Sequence, residues 1–474
     1  MEKRSENLLK NTLILSIGVF CTKVITFLMV PLYTRWLSQE SYGNFDLIIT
    51  YITLLLPILT LSSGEAIFRF LLEKKEENDK KSVVSSAFII DIIGTIVSLI
   101  AILVVGLFTN ISSLILLLFF SLLVIESFHE FTLMTCRGFK KISLYTLSGI
   151  IYICSMTILT IMNIKVFNMG LEGLLIGYIG GYFISFLFAF IKGKIYSYID
   201  FKKINKKEIK DILKYSMPLM PNSISWWIVN VSDRTIVTMV LGASTNAILS
   251  VANKVPNLCS TFFRVFHISW QENASEAIND NDVEKYYCNI FNKMIVTMCS
   301  ICMVILSLNY ILFNFVFSKD YFNSFYLTPV LIFSIFVSMM AQFLGGIYVA
   351  NKESKKNGFT TMLAAISNLI IHLLLINFIG IYAAVISTFC SYLILYFIRF
   401  FDIRKKYNFV TSSKSKMLIL LFCLLSGLAY INNIFLYTSM FIISMIVFIF
   451  VNKGYVNKTL NIIKKKFSKR GLNV

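Results

Sequence analysis

Apolar residues run through this chain in long blocks, separated by short polar segments. A helix needs about 17–25 apolar residues to cross a bilayer, and most of the blocks have that length. They cover 11–33, 43–64, 83–108, 113–135, 146–166, 172–192, 215–241, 247–270, 290–317, 326–350, 359–379, 381–401, 417–431 and 434–451. The pattern predicts an all-α integral membrane protein with about 14 transmembrane helices, the last two being the shortest.

Charge gives this count a direction. Three of the 44 Lys and Arg residues, Arg35, Lys165 and Lys319, fall in odd-numbered connections. Lys23, Arg234, Lys254 and Arg264 lie well inside spans, and the others gather at the N-terminus, the even-numbered connections and the C-terminal tail. The positive-inside rule then predicts a multi-pass inner-membrane protein with both termini cytoplasmic, and the Ile-, Asn- and Lys-rich usage suggests a bacterial cytoplasmic membrane. A net charge of +19 would suggest nucleic acid in a soluble chain. Here the basic groups flank spans, so membrane lipid headgroups are the expected partner and nucleic acid is not. The first span is too long for a cleaved signal, holds Lys23 and lacks a small-residue cleavage site, so it is expected to be retained.

The longest connections, near 192–214 and 271–289, are too short for a catalytic domain, and no enzyme is predicted. No G-x-x-x-x-G-K-[ST] loop is present, which excludes an ATP-driven pump acting alone. Cys299-Ser-Ile-Cys302 matches C-x-x-C within an apolar span and lacks a second ligand pair, so neither a metal nor a cofactor is expected. Asp280-Asn281-Asp282 reads as a solvated loop.

The basic stretch Lys192–Lys214 divides the chain into a first lobe over 1–191 and a second over 215–401, with 402–474 holding the last two spans and a basic tail. Phe201, Ile204, Ile209, Ile212 and Leu213 among those lysines suggest a helix on the inner membrane surface, and Leu460, Ile463 and Phe467 in the tail read the same way. A weak internal repeat supports two related lobes: Gly170–Gly177 and Gly380–Ser387 stand at nearly the same offset as Arg35–Ser38 and Val240–Gly242. Glycine turns followed by small residues allow close helix hairpins, and parallel repeats are a transporter architecture. The six prolines, Pro31, Pro57, Pro218, Pro221, Pro256 and Pro329, lie in or at the ends of spans and mark bends.

Charges within spans are costly and point to function. Lys23, Arg234, Lys254 and Arg264 in one cavity would make a basic site for an anion, and phosphate suits guanidinium and ammonium together. Asp233 can neutralise its neighbour Arg234, and Arg264 with His267 can reach headgroups. Asp46 can pair with Arg35 or contribute to a cation site. Glu65 and Arg69, four residues apart, suggest an ion pair at the cytoplasmic mouth. Glu126, Glu130 and Arg137 share a helical face and suggest a salt-bridge network there, with a proton-coupling carboxylate as the alternative.

Residues Asn11 to Gly18, Lys23, Phe27, Pro31-Leu32-Tyr33-Thr34-Arg35-Trp36-Leu37-Ser38, Tyr42-Gly43 and Asp46-Leu47 resemble the first hairpin of bacterial polysaccharide-export flippases. These are the Wzx-like members of the multidrug/oligosaccharidyl-lipid/polysaccharide (MOP) superfamily. Gly64–Phe70, Arg137-Gly138, Met169–Gly173, Asp233-Arg234 and the Gly380 turn continue the likeness over nearly the whole chain. The resemblance implies two six-helix lobes in a V, with two C-terminal helices appended. It implies flipping of undecaprenyl-pyrophosphate-linked oligosaccharide for capsule, O-antigen or exopolysaccharide assembly, alongside a polymerase and chain-length machinery. Lys23, Arg234 and Lys254, with Arg264, would bind the pyrophosphate headgroup. Asp46 and Asp233 would couple transport to H⁺, Na⁺ or membrane potential. Two alternatives share the superfamily: a peptidoglycan lipid-precursor flippase and a cation-coupled multidrug exporter.

Overall fold

The structure, a computed structural model, describes residues 22–351 and 353–453. The start of the first span and the basic tail, with Leu460, Ile463 and Phe467, lie outside the described residues. Among these residues there is no strand. The helices are α1 over 22–36, α2 Gln39–Leu59, α3 Ser63–Glu73, α4 Glu77–Phe108, α5 Ser113–Gly138, α6 Ile142–Lys165, α7 Leu171–Lys192, α8 Lys206–Ser216, α9 Met220–Leu241 and α10 Ala243–Glu276. They continue as α11 Val283–Val316, whose last turn is a π-helix, α12 Ser324–Ala350, α13 Ser354–Ile379, α14 Tyr382–Lys406, α15 Ser413–Leu428 and α16 Ile434–Val451.

Ten of the described helices are long and apolar enough to span a membrane: α2, α4 to α7, α11 to α14 and α16. Of the remaining predicted spans, the first lies partly outside the described residues, and the other three fall short for physical reasons. Helix α9 carries Ser232, Asp233, Arg234 and Thr235, and α10 carries Asn253, Lys254, Arg264 and His267. Helix α15 has only 16 residues. The predicted second span is also broken. Its N-terminal part is α2, and Leu61 and Ser62 turn left-handed, at φ 50° and 53°, before α3 begins. Pro57 lies one turn upstream of the break, and its carbonyl accepts from Ser62 N at 3.0 Å.

The chain divides into two compact units, residues 1–247 and 248–474. In the first, α6 and α7 form the hairpin expected from the Gly170 segment. Gly173, Gly177 and Gly181 recur every four residues along α7, so they line one face. A side chain at Gly177 would collide with Thr160, and Asn163 Nδ2 donates to Gly173 O at 3.2 Å. Small residues thus set the spacing of this pair.

The basic linker, expected on the inner membrane surface, also packs on protein. Ile209, Ile212 and Leu213 of α8 pack against a cluster that includes Ala66, Ile67, Leu71, Val83, Val84 and Ala87 of α3 and α4. Lys74 Nζ lies 3.3 Å from Glu208 Oε2, and Ser85 Oγ donates to Tyr198 O and accepts from Asp200 N. The apolar face of α8 is therefore spent on protein contacts.

In the second unit α12 is the central helix. About 78% of its most apolar window is buried, against 28% for α13 and 39% for α14. Helices α13 and α14 are joined at Gly380, whose φ of +56° suits glycine. Helix α16 is tied to α11 by Asn452, which accepts from Thr297 Oγ1 at 2.9 Å and donates to Ser300 Oγ at 3.0 Å.

Candidate functional site

Gly43, Asp46 and Thr50 recur at i, i+3 and i+7, so they line one face of α2. Each meets a donor from α9 or the start of α10. Asn246 Nδ2 donates to Gly43 O at 3.0 Å, Arg234 Nη1 to Asp46 Oδ1 at 3.0 Å, and Trp227 Nε1 to Thr50 O at 2.9 Å. Arg234 also reaches Thr50 Oγ1 at 3.5 Å. Position rises along α2 as it falls along the partner, so the helices run antiparallel. Close approach is possible because Gly43 has no side chain to strike the Ala243 carbonyl. Asp46 is 4% exposed, so the ion pair at the middle of the seam is desolvated and each charge depends on the other.

Beside this seam lies a tyrosine-rich interior. Phe45 meets the Tyr178 ring edge-on at 5.0 Å, and Tyr33 points its hydroxyl at Met156 Sδ. The rings of Tyr152 and Tyr182 stack at 4.2 Å, and the Tyr182 hydroxyl faces Glu126. His129 Nε2 shares a hydrogen bond with Ser185 Oγ at 2.9 Å, and that hydroxyl donates to Ser148 O. Ser63 Oγ, in the first turn of α3, donates to the buried Asp91 carboxylate at 3.0 Å. Glu130 lies over Gly64, one residue further along. In the first unit a guanidinium thus meets Asp46 on α2, and hydroxyls meet Asp91 on α4 and Glu126 on α5.

Neither predicted mouth contact has its expected form. Arg69 pairs with Glu73 at 2.9 Å rather than with Glu65. Glu65 sits in the first turn of α3, where free backbone N–H groups favour a negative charge. Arg137 makes no ion pair with Glu126 or Glu130; its guanidinium stacks over Phe68, 4.2 Å from the ring centroid. Glu126 instead meets Tyr182, on the side of α5 that faces α7.

The predicted basic residues are divided between the units. Lys23, exposed on α1, and Arg234 belong to the first; half-buried Lys254 and exposed Arg264, both on α10, belong to the second. Asp233 is buried on α9. The sequence expectations do not include Arg399, which lies within the predicted span 381–401. Arg399 is 1% exposed and donates to Thr360 Oγ1, Ala341 O, Asn357 O, Asn357 Oδ1 and Thr361 Oγ1 at 2.7–3.2 Å. Its acceptors are neutral and come from α12 and α13, so it fastens both to α14. One turn on, Asp402 accepts from Tyr348 and Lys356, and Glu353 pairs with Lys356 and Lys406. Polar Asn357, Thr360 and Thr361 one turn apart on α13 were the available signal for that cage.

The fold is similar to solved transporters. Against the lipid II flippase MurJ in an inward closed conformation the TM-score is 0.69, at 16% identity, covering 94% of this chain and 100% of that one. An outward-facing multidrug resistance transporter of the MATE family, in the MOP superfamily, gives 0.58 at 15% identity, over 84% of this chain and 95% of the other. A MOP superfamily transporter from Pyrococcus furiosus, described as having a binding pocket of reversed polarity, gives 0.58 at 13%, over 83% and 95%. No curated protein sequence matches. The family model described as "Polysaccharide biosynthesis protein" matches residues 8–270, more than half the chain and the whole α2–α9 seam. The chain has a MurJ- and MATE-like helical fold with ten helices long and apolar enough to span a membrane among the described residues, and it belongs to this polysaccharide biosynthesis family.

Proposed function

We propose that the protein flips undecaprenyl-pyrophosphate-linked oligosaccharide from the cytoplasmic to the outer leaflet by alternating access, feeding surface polysaccharide assembly. The observation that carries this reading is the family match over residues 8–270, which spans the segment holding Lys23, Asp46 and Arg234. A guanidinium held by one carboxylate oxygen can exchange that partner for a pyrophosphate of the same charge sign, which its fork can take bidentately. Lys23, Arg234, Lys254 and Arg264 are the proposed headgroup ligands. Asp46, released when Arg234 turns to the cargo, and Asp233 are the proposed points of coupling to H⁺, Na⁺ or membrane potential. Two six-helix lobes, 1–191 and 215–401, would rock about the linker, with the termini and the lysine-rich connections cytoplasmic.

Deleting the gene in its host and mapping lipid-linked oligosaccharide by leaflet tests the reading. Lost surface polymer, with repeat units held in the cytoplasmic leaflet, supports it; unchanged polymer and leaflet distribution would overturn it. A peptidoglycan-precursor flippase is the second reading, favoured by the 94% coverage in the MurJ comparison. Mass analysis of the stranded lipid separates the two.

A further inference from the structure

The linker helix α8 carries a feature that the translocation reading does not use. Lys206, Lys210 and Lys214 recur every four residues and are exposed. At 100° per residue they stand about 40° apart, a row of ammonium groups along one side of the helix spanning roughly 12 Å. The row borders a shallow hollow of about 410 Å³, open to the outside, lined by those lysines with Ile209 and Leu213. Ile209 and Leu213 give their inner sides to the cluster under α8 and turn the rest to the hollow. The result is an aliphatic floor with a cationic rim.

Its surroundings have the same mixed character. Tyr196 and Phe201 before α8, Tyr215 in its last turn, and Met217 and Leu219 after it, are exposed. The same end of the first unit gathers Lys74, bound to Glu208, and Lys141, whose Nζ donates to Gly193 O at 2.7 Å. Exposed aromatics interleaved with lysines suit a membrane–water interface. A soluble acidic protein would complement the charge and leave the exposed apolar residues uncovered.

We infer that the Lys206–Lys210–Lys214 face of α8 is a binding surface for anionic phospholipid headgroups of the adjacent leaflet. Phosphates take the ammonium groups, and the first carbons of the lipid rest on Ile209 and Leu213. A row about 12 Å long addresses several separate phosphates, whereas one pyrophosphate would engage a single end of it. Each lysine near an anionic surface contributes on the order of fivefold to the association, and the effect is screened by salt. Because the apolar face of α8 is already docked on α3 and α4, lipid binding presses the linker onto the membrane without unpacking it.

The test uses full-length protein in phosphatidylcholine vesicles with and without 30% phosphatidylglycerol, followed by hydrogen exchange over residues 196–219. The expected result is roughly tenfold slower exchange in the anionic vesicles, reversed by 0.5 M salt and absent from the K206Q/K210Q/K214Q variant. That variant leaves Glu208, Ile212 and the buried face intact, and unchanged exchange in α3 and α4 verifies its fold. Equal exchange in both vesicles, or protection that survives in the variant, would overturn the inference. So would protection by undecaprenyl pyrophosphate in neutral vesicles where phosphatidylglycerol gives none, which would assign the surface to cargo. The readout is independent of transport and stands or falls apart from the proposed function.

Discussion

Arg234 Nη1 lies 3.0 Å from Asp46 Oδ1, joining two helices that are 188 residues apart in sequence. The cation expected to receive an anionic headgroup is thus already held by a carboxylate. Removing one partner of such a buried pair costs about 3–5 kcal/mol, because the other charge is left uncompensated. Asp46→Ala and Arg234→Ala should each lower membrane abundance and thermal stability, and the Asp46→Asn/Arg234→Gln double variant should recover both. Export should fail in the double variant despite its abundance. Surface-polymer staining beside quantitative immunoblotting separates the two effects; full export from the double variant would remove Arg234 from the headgroup site.

Lys23 offers a cleaner functional test because it is exposed on α1. Lys23→Ala should reduce export at least tenfold with abundance unchanged, and Lys23→Arg should restore most of it. Loss of roughly 1.4 kcal/mol at the transition state corresponds to that factor. Leaflet-resolved assays of lipid-linked oligosaccharide provide the measurement.

Tyr182 stacks on Tyr152 and turns its hydroxyl to Glu126. Tyr182→Phe keeps the stack and removes the hydroxyl, which should cost about 1–3 kcal/mol by leaving a buried polar group unsatisfied. Glu126→Leu combined with Tyr182→Phe should be less harmful than Tyr182→Phe alone. A double-mutant cycle on thermal unfolding in detergent reads this out, and additive losses would show that the two side chains do not interact.

In the second unit, Arg399→Leu should lower the thermal midpoint strongly, since it strands acceptors on Ala341, Asn357, Thr360 and Thr361. Arg399→Lys keeps the charge and loses the planar fork, so it should recover only part of the loss. Equal stability of both variants with the parent would refute the role of Arg399 as a fastener.

Gly177 tests the first unit's hairpin in the same way. Gly177→Val drives a branched side chain into Thr160, with an expected cost of about 1–3 kcal/mol. Crosslinking between cysteines placed across α6 and α7 should lose yield in step with stability.

The sequence made the helical membrane fold, the Gly170 and Gly380 hairpins and the basic linker legible, because each is written in local composition and spacing. The contacts that build the sites join distant segments. Asp91 meets Ser63 across 28 residues, and Arg399 meets Asn357 across 42. No spacing rule along a single helix reaches those partners. Within one helix the rule also misled: Arg69 has a glutamate four residues away on either side, and the turn that begins α3 decides between them. The α2–α3 break was hidden too, because Leu61 and Ser62 are not residues that announce a left-handed backbone.

At the α2–α9 seam the donors come from Trp227, Arg234 and Asn246, while two of the four acceptors are main-chain oxygens of α2. A main-chain oxygen does not depend on the side chain beside it, provided the new side chain fits; Gly43 has no room for one, whereas Thr50 is held to Arg234 only by a long 3.5 Å contact. The seam therefore places unequal demands on its two sides: Thr50 can drift chemically and still accept from Trp227, whereas each loss on the donor side must be replaced in kind. A saturation library would show this as tolerance at position 50 and intolerance at position 227. That asymmetry lets the register of two helices outlast extensive change in sequence.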